Sequence, residues 1–349
     1  MTIDGPLTIE LEDVEDWATS AVLAARWLLQ LHVHTNEPRN ILGIAQKLAC
    51  FLAEKGRGAA YDLQAGKVIY PRKRESNYKV ADGTEQIIDV IEVVLVLPFD
   101  AVSDDTASSL LRVLRKCCPE GVPTRFGTFE PLQNKLLPGD DDSFLNLWKA
   151  ESHVEYGSSM FWNAQQPCFG GSIFFSNRRS ELPNMPDMYA RFHQLRLSFD
   201  GRALKSDDRW CRTVDVLFQH LCKELGPFYA ASYVYGGVRA KGNTLSYTAK
   251  TIEAGMFISG RWWQGLPSKP TWLAWFGPQY ADKVGASVMK SGKAQVLELN
   301  SIFLKMSEKP MNAEELRSTF PALPPELVRT QVNGASAEEI PVELQDRGI

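Results

Sequence analysis

Alternation opens the readable part of the chain. In "WLLQLHVH", residues 27–34, Leu29, Leu31 and Val33 fall on one side and Gln30, His32 and His34 on the other, the period of a half-buried strand. A helix follows in "PRNILGIAQKLACFLAEKGRG", where Ile41, Ala45, Leu48 and Leu52 recur at helical spacing, Pro38 suits the first turn, and Gly56 and Gly58 suit the stop. "AAYDLQAGKVIYP" predicts a strand or short hairpin around Ala65 and Gly66, and "VIEVVLVLPF" a buried strand. "DDTASSLLRVLRKCC" places Leu110, Leu111, Leu114 and Cys118 on one helical stripe, with Ser103 or Asp104 as cap, and "VPTRFGTFEPL" closes as an extended segment. The order over residues 25–132 is β-α-β-β-α-β, the ferredoxin-like pattern.

The second half has a similar layout. "FHQLRLSF" alternates, "KSDDRWCRTVDVLFQHLCKELG" carries the stripe Val214, Leu217, Phe218, Leu221, Cys222 and Leu225, and "PFYAASYVYGG" predicts another strand. "PQYADKVGASVMK" then reads as a helix and "QVLELNSIFLKMS" as one strand. The expected fold is α+β, with two ferredoxin-like (βαββαβ-type) units, antiparallel or mixed sheets, and helices packed on one face. The expected boundaries are an N-terminal unit 1–140, a linker region 141–185, a C-terminal unit 186–331 and a flexible tail 332–349.

At 349 residues the chain has room for two such units. Its 44% hydrophobic and 23% charged content is that of a soluble globular protein, and a net charge of -4 gives no electrostatic footprint for nucleic acid. The acidic start "MTIDGPLTIELEDVEDW" lacks the basic-then-apolar order of an export signal, and no apolar run approaches the roughly 20 residues that cross a bilayer. These features predict a cytoplasmic protein without a membrane partner. Six cysteines in no framework spacing read as buried free thiols.

Motifs for chemistry fail on their details. "HVE" at 153–155 with "PCFGG" at 167–171 approaches the zinc deaminase signature, but Gly171 stands where the second cysteine belongs. His32 and His34 share a strand face, and two ligands do not make a metal site. "GRGAAYD" follows a helix instead of opening one, and "KSGK" at 290–293 has no Walker frame. Cys211 and Cys222, eleven apart, share a helix face and suit core packing. Glu92, Asp215 and Glu253 are scattered carboxylates that sequence cannot pair. No metal or other cofactor is expected. An enzyme reading finds its best local support in "PTRFGTFEPLQNK", where Arg125, Glu130, Gln133 and Asn134 follow a strand end and offer contacts to a polar ligand. Arg125 and Glu130 read equally well as a structural ion pair.

The stretch "RWWQGLPSKPTWLAWFGPQY", residues 261–280, concentrates Trp262, Trp263, Trp272 and Trp275. Trp272, Trp275 and Phe276 precede a Gly-Pro helix start and are expected in the core. Trp262 and Trp263 are adjacent, so an extended chain points them to opposite sides and exposes at least one.

"KPTWLAWFGPQYADKVG" and the strand-helix-strand unit from Phe192 to Gly237 resemble the immunity proteins of bacterial polymorphic-toxin and type VI secretion systems, in particular the immunity protein 52 group. "AAYDLQAGKVIYPR" is similar to segments of ferredoxin-like domains among such proteins. The resemblance covers about residues 190–310 and implies a cytoplasmic binder that neutralises a cognate toxin by occlusion; it brings no catalytic residues. On that basis Asp140, Asp141 and Asp142, Trp262 and Trp263, and Arg125 and Glu130 are the candidate partner contacts, since acidic groups and aromatic anchors are common at inhibitory interfaces. Two readings stand beside it: an enzyme with a site near Arg125 to Asn134, and a non-catalytic subunit of a phage-defence or secretion assembly.

Overall fold

The structure, a computed structural model, describes residues 2–8, 27–32, 39–56, 60–62, 67–70, 84–137, 139–176, 191–248, 263–329 and 337–344. They divide into two compact units, residues 1–79 with 137–141 and residues 80–136 with 142–349.

In the first unit β1 (Thr2–Thr8) pairs antiparallel with β2 (Trp27–His32). Helix α1 (Arg39–Gly56) forms where expected; of the expected stripe Ala45 is buried and Ile41, Leu48 and Leu52 are half-buried, while Ile44 and Phe51 are exposed. Strands β3 (Ala60–Asp62) and β4 (Lys67–Tyr70) form the expected hairpin pair.

The second unit is built on one antiparallel sheet of 11 strands. It contains β5 (Gln86–Pro98), β6 (Arg125–Gly127), β7 (Asn134–Lys135), β8 (Ser158–Asn163), β9 (Cys168–Phe175), β10 (Phe192–Asp200), β11 (Tyr229–Lys241), β12 (Thr244–Ser246), β13 (Leu273–Phe276), β14 (Ala294–Leu297) and β15 (Ser301–Lys305). The order is β14-β15-β13-β11-β5-β10-β9-β8-β6-β7, with β12 added to β11. The sheet is accompanied by helices α2 (Asp104–Cys117), α3 (Asp141–Ser152), α4 (Gly201–Ser206), α5 (Asp208–Leu225), α6 (Pro278–Met289) and α7 (Ala313–Leu316).

The expected pair of ferredoxin-like units does not form. Strand β5 is apolar on both sides, and Val90 to Leu97 are all buried, so it needs neighbours on both edges and cover on both faces. Those neighbours are β10 and β11, from the other half of the chain. The segment 141–185, expected as a linker, supplies α3, β8 and β9.

Helices also cover both faces instead of one. On the first face, Phe144 of α3 packs edge-on against Trp162 and Trp148 edge-on against Phe175, while Phe218 of α5 meets Phe303 at a tilt. On the second face, Tyr280, Ala281, Val284 and Val288 of α6 join Val94, Val96, Phe276 and Leu304 in the core. A third difference falls in "QVLELNSIFLKMS", which makes two strands and a reversal. Leu299 and Asn300, both at positive φ (61° and 50°), turn β14 back onto β15.

Candidate functional site

Register fixes which side chains meet on the second face. Glu92 of β5 lies directly between Ser198 of β10 and Tyr233 of β11, because directly opposed residues of antiparallel strands point to the same side. One step along, Val90 lies between Asp200 and Tyr235. One step the other way, Val94 lies between Arg196 and Ala231. Gly236 and Gly237 then interrupt the pairing of β11, Gly237 at φ 74°, a backbone position that suits a residue without Cβ. After the β12 hairpin, Tyr247 packs edge-on against Tyr235 at 5.6 Å.

Two buried carboxylates on this face are treated differently. Asp200 is 1% exposed and caps α4, accepting from the Arg202 N–H at 2.9 Å and from its guanidinium at 2.7 Å. Glu92 is 5% exposed, and among the described residues no basic nitrogen lies within 4.0 Å of it. Arg196 is near enough to act on the same tyrosines, but its fork goes elsewhere. Its Nε and Nη2 both donate to Gln194 Oε1, at 2.8 and 2.6 Å, and its guanidinium lies over the Phe174 ring at 5.6 Å.

What faces Glu92 instead is phenolic. Burial first, and the Glu92 charge second, push the Tyr235 and Tyr247 hydroxyls far above the ordinary tyrosine range, so both remain protonated. The Tyr247 hydroxyl is buried and directed toward Glu92 and Ser198, yet closes no hydrogen bond within 3.5 Å. Gln194, 1% exposed, has an Nε2 that donates to nothing. Beyond them, Tyr229 and Tyr233 share a 3.1 Å hydroxyl contact, and the buried Arg329 lies in their field. The sequence carried one signal for this site: Glu92 interrupts the face that Val90, Val94 and Val96 otherwise make apolar.

The residues expected to carry function take the following places. Trp263 is 1% exposed and belongs to the core, so it is no surface contact; Trp262 lies outside the described residues. Trp272, Trp275 and Phe276 are buried as expected. Asp140 and Asp142 are exposed, and Asp141 opens α3, where a carboxylate offsets the helix dipole.

Arg125 and Glu130 make no ion pair. Arg125 Nη2 donates to the Leu132 carbonyl at 3.1 Å, and Gln133 Nε2 to the Phe129 and Pro131 carbonyls at 2.6 Å each, so these groups hold their own loop. That use weakens the case for a ligand site there.

His153 Nδ1 meets the Lys149 carbonyl at 2.8 Å at the end of α3, and Cys168 is fully buried. His32 is exposed, while His34 and Glu253 lie outside the described residues. Among the described residues no group of three His, Cys, Asp or Glu converges, and no helix is long and apolar enough to cross a membrane.

No family model matches the chain, and no curated protein matches it. Among solved structures the chain is similar to the Pseudomonas aeruginosa T6SS protein PA0821, at 13% identity and a TM-score of 0.42, over 64% of this chain and 70% of that one. A likeness at this level carries nothing further to this chain.

Proposed function

We propose that this is an immunity-type binding protein, acting in the cytoplasm, that neutralises a cognate bacterial toxin by direct contact and occlusion. The observation that supports a binding role is Leu299. It sits in the reversal between β14 and β15 at φ 61°, ψ 30°, with 78% of its surface exposed. Left-handed backbone costs a non-glycine residue about 1–2 kcal/mol, and an exposed leucine contributes no burial to offset it. Burial against a partner contributes about 1.5–3 kcal/mol. Val296 of the edge strand β14 is a second exposed apolar side chain, at 60%. The toxin as partner comes from the sequence resemblance, and the acidic Asp140 to Asp142 turn remains a candidate contact.

Co-expression with the toxic product of an adjacent gene tests the proposal. Cell survival together with a stoichiometric complex that Leu299→Asp disrupts is the expected result. A stable complex without protection points to a subunit of a secretion or phage-defence assembly. Turnover of a small molecule by the purified chain alone sinks the binding reading.

A further inference from the structure

The main run of the sheet ends at two strands that are not alike. At one end β7 is two residues long, exposed, and carries Lys135, features that discourage further pairing. At the other end β14 has four residues, Ala294 to Leu297, with no charge, no proline and no bulge in its pairing with β15. Among the described residues no strand lies beyond it.

Register shows what this edge offers. Lys305 donates its N–H to the Lys293 carbonyl at 3.2 Å, and Met306 donates to the Trp272 carbonyl, on the other side of β15, at 3.0 Å. Bonded and non-bonded pairs alternate along antiparallel strands, so Lys293, Gln295 and Leu297 direct their backbone groups to β15. The N–H and C=O of Ala294 and Val296 therefore point out of the sheet edge. Their side chains fall on the second face, opposite Leu304 and Ile302, which are buried in the core that α6 joins. Val296 is nevertheless 60% exposed, at the margin where that core ends.

We propose that β14 is where the toxin engages, through an extended toxin segment that adds one antiparallel strand to the sheet. The inference rests on the toxin reading and deepens it. Ala294 and Val296 each exchange main-chain hydrogen bonds with the residue opposite, and apolar side chains at those positions extend the core sideways. The flanks set the register: Lys293 favours an acidic residue opposite it, and Glu298 a basic one at the other end. A second copy of this chain fits worse. Self-pairing about a two-fold axis at Gln295 or Val296 sets Lys293 against Leu297 or Leu299, and Glu298 against Gly292 or Ala294, so neither charge meets its opposite.

The test uses the full chain with the adjacent-gene product, amide hydrogen exchange read residue by residue by NMR, and binding titrations of Val296→Pro and Val296→Thr. Exchange at Ala294 and Val296 should slow by at least about tenfold in the complex. Val296→Pro removes an N–H that β15 does not use, so the free variant should still melt cooperatively, yet bind at least about tenfold more weakly. Val296→Thr keeps the backbone and the β-branched shape and should bind within about threefold of the wild type. If Val296→Pro fails to fold, the exchange data decide alone. Unchanged exchange at both amides in a protective complex overturns strand addition and leaves the toxin reading standing, as does a Val296→Pro protein that binds like the wild type. Equal losses in the Pro and Thr variants also overturn it, because they mark a side-chain contact only. Slowed exchange in the free chain that grows with its concentration identifies a second copy as the occupant and overturns the proposal. No complex at all overturns the toxin reading and strand addition together.

Discussion

Trp263 donates its indole N–H to the Tyr280 hydroxyl at 2.6 Å, and so ties the segment before β13 to helix α6. The indole also meets Phe228 edge-on at 5.0 Å and Phe192 at 5.9 Å, which makes it a hub of the second-face core. Tyr280→Phe leaves the indole N–H buried without a partner and should lower stability by about 1–3 kcal/mol. Trp263→Ala should cost about 3–5 kcal/mol. Urea melts of both variants measure this, and a Tyr280→Phe protein as stable as the wild type would count against the bond.

Gly170 holds φ 137°, and a Cβ there would run into the Trp162 carbonyl of the neighbouring strand. Gly170→Ala should therefore lose about 3 kcal/mol or more, through strain added to a packed sheet. Gly292, also at positive φ but in open space, should tolerate Ala better, at about 1 kcal/mol. Equal losses in the two variants would show that backbone conformation, and not the close approach, decides the cost.

Burial pushes the Cys168 thiol up to about 12 from an ordinary 9.0, and a backbone hydrogen bond at Gly170 opposes the rise only in part. The folded protein thus keeps its proton where the unfolded chain has lost it. Stability should be flat below about pH 8.5 and fall between the ordinary value and about 12, at roughly 1.4 kcal/mol per pH unit for each such thiol. Cys222, also raised by burial, adds to the slope. Denaturation measured from pH 7 to 11 should show this decline, and Cys168→Ala should make it shallower; an unchanged slope would exclude Cys168 as a source.

Leu299→Gly removes the left-handed strain and only exposed side-chain surface, so the isolated protein should gain about 1 kcal/mol. The same change should weaken the toxin complex. Opposite signs in a melt of the free protein and in a binding titration distinguish a contact residue from a scaffold residue, which would lose stability and binding together.

Local elements were legible because they depend on short-range periodicity. The α5 stripe Val214, Leu217, Phe218, Leu221, Cys222 and Leu225 is buried throughout, and the alternation in "FHQLRLSF" became β10. Partner choice was not legible, because an apolar strand such as β5 matches any complementary edge, and nothing in its own residues specifies β10 and β11. The reversal at Leu299 was hidden for another reason: a leucine in left-handed backbone has no propensity signal, and only Asn300 beside it hints at a turn. Glu92 was visible as an oddity in an apolar run, but its surroundings depend on register between strands far apart in sequence, which no local pattern encodes.

The position of β5 has a consequence for biosynthesis. Its antiparallel neighbour β10 begins with Phe192, which pairs with Pro98, 94 positions earlier. A growing chain therefore displays a long, sticky strand with two vacant edges well before either neighbour has been made. Pairing this distant is slow and invites aggregation. Nascent chains that stop short of β11 should need chaperone protection, and production at low temperature or with added chaperones should raise the yield of native protein.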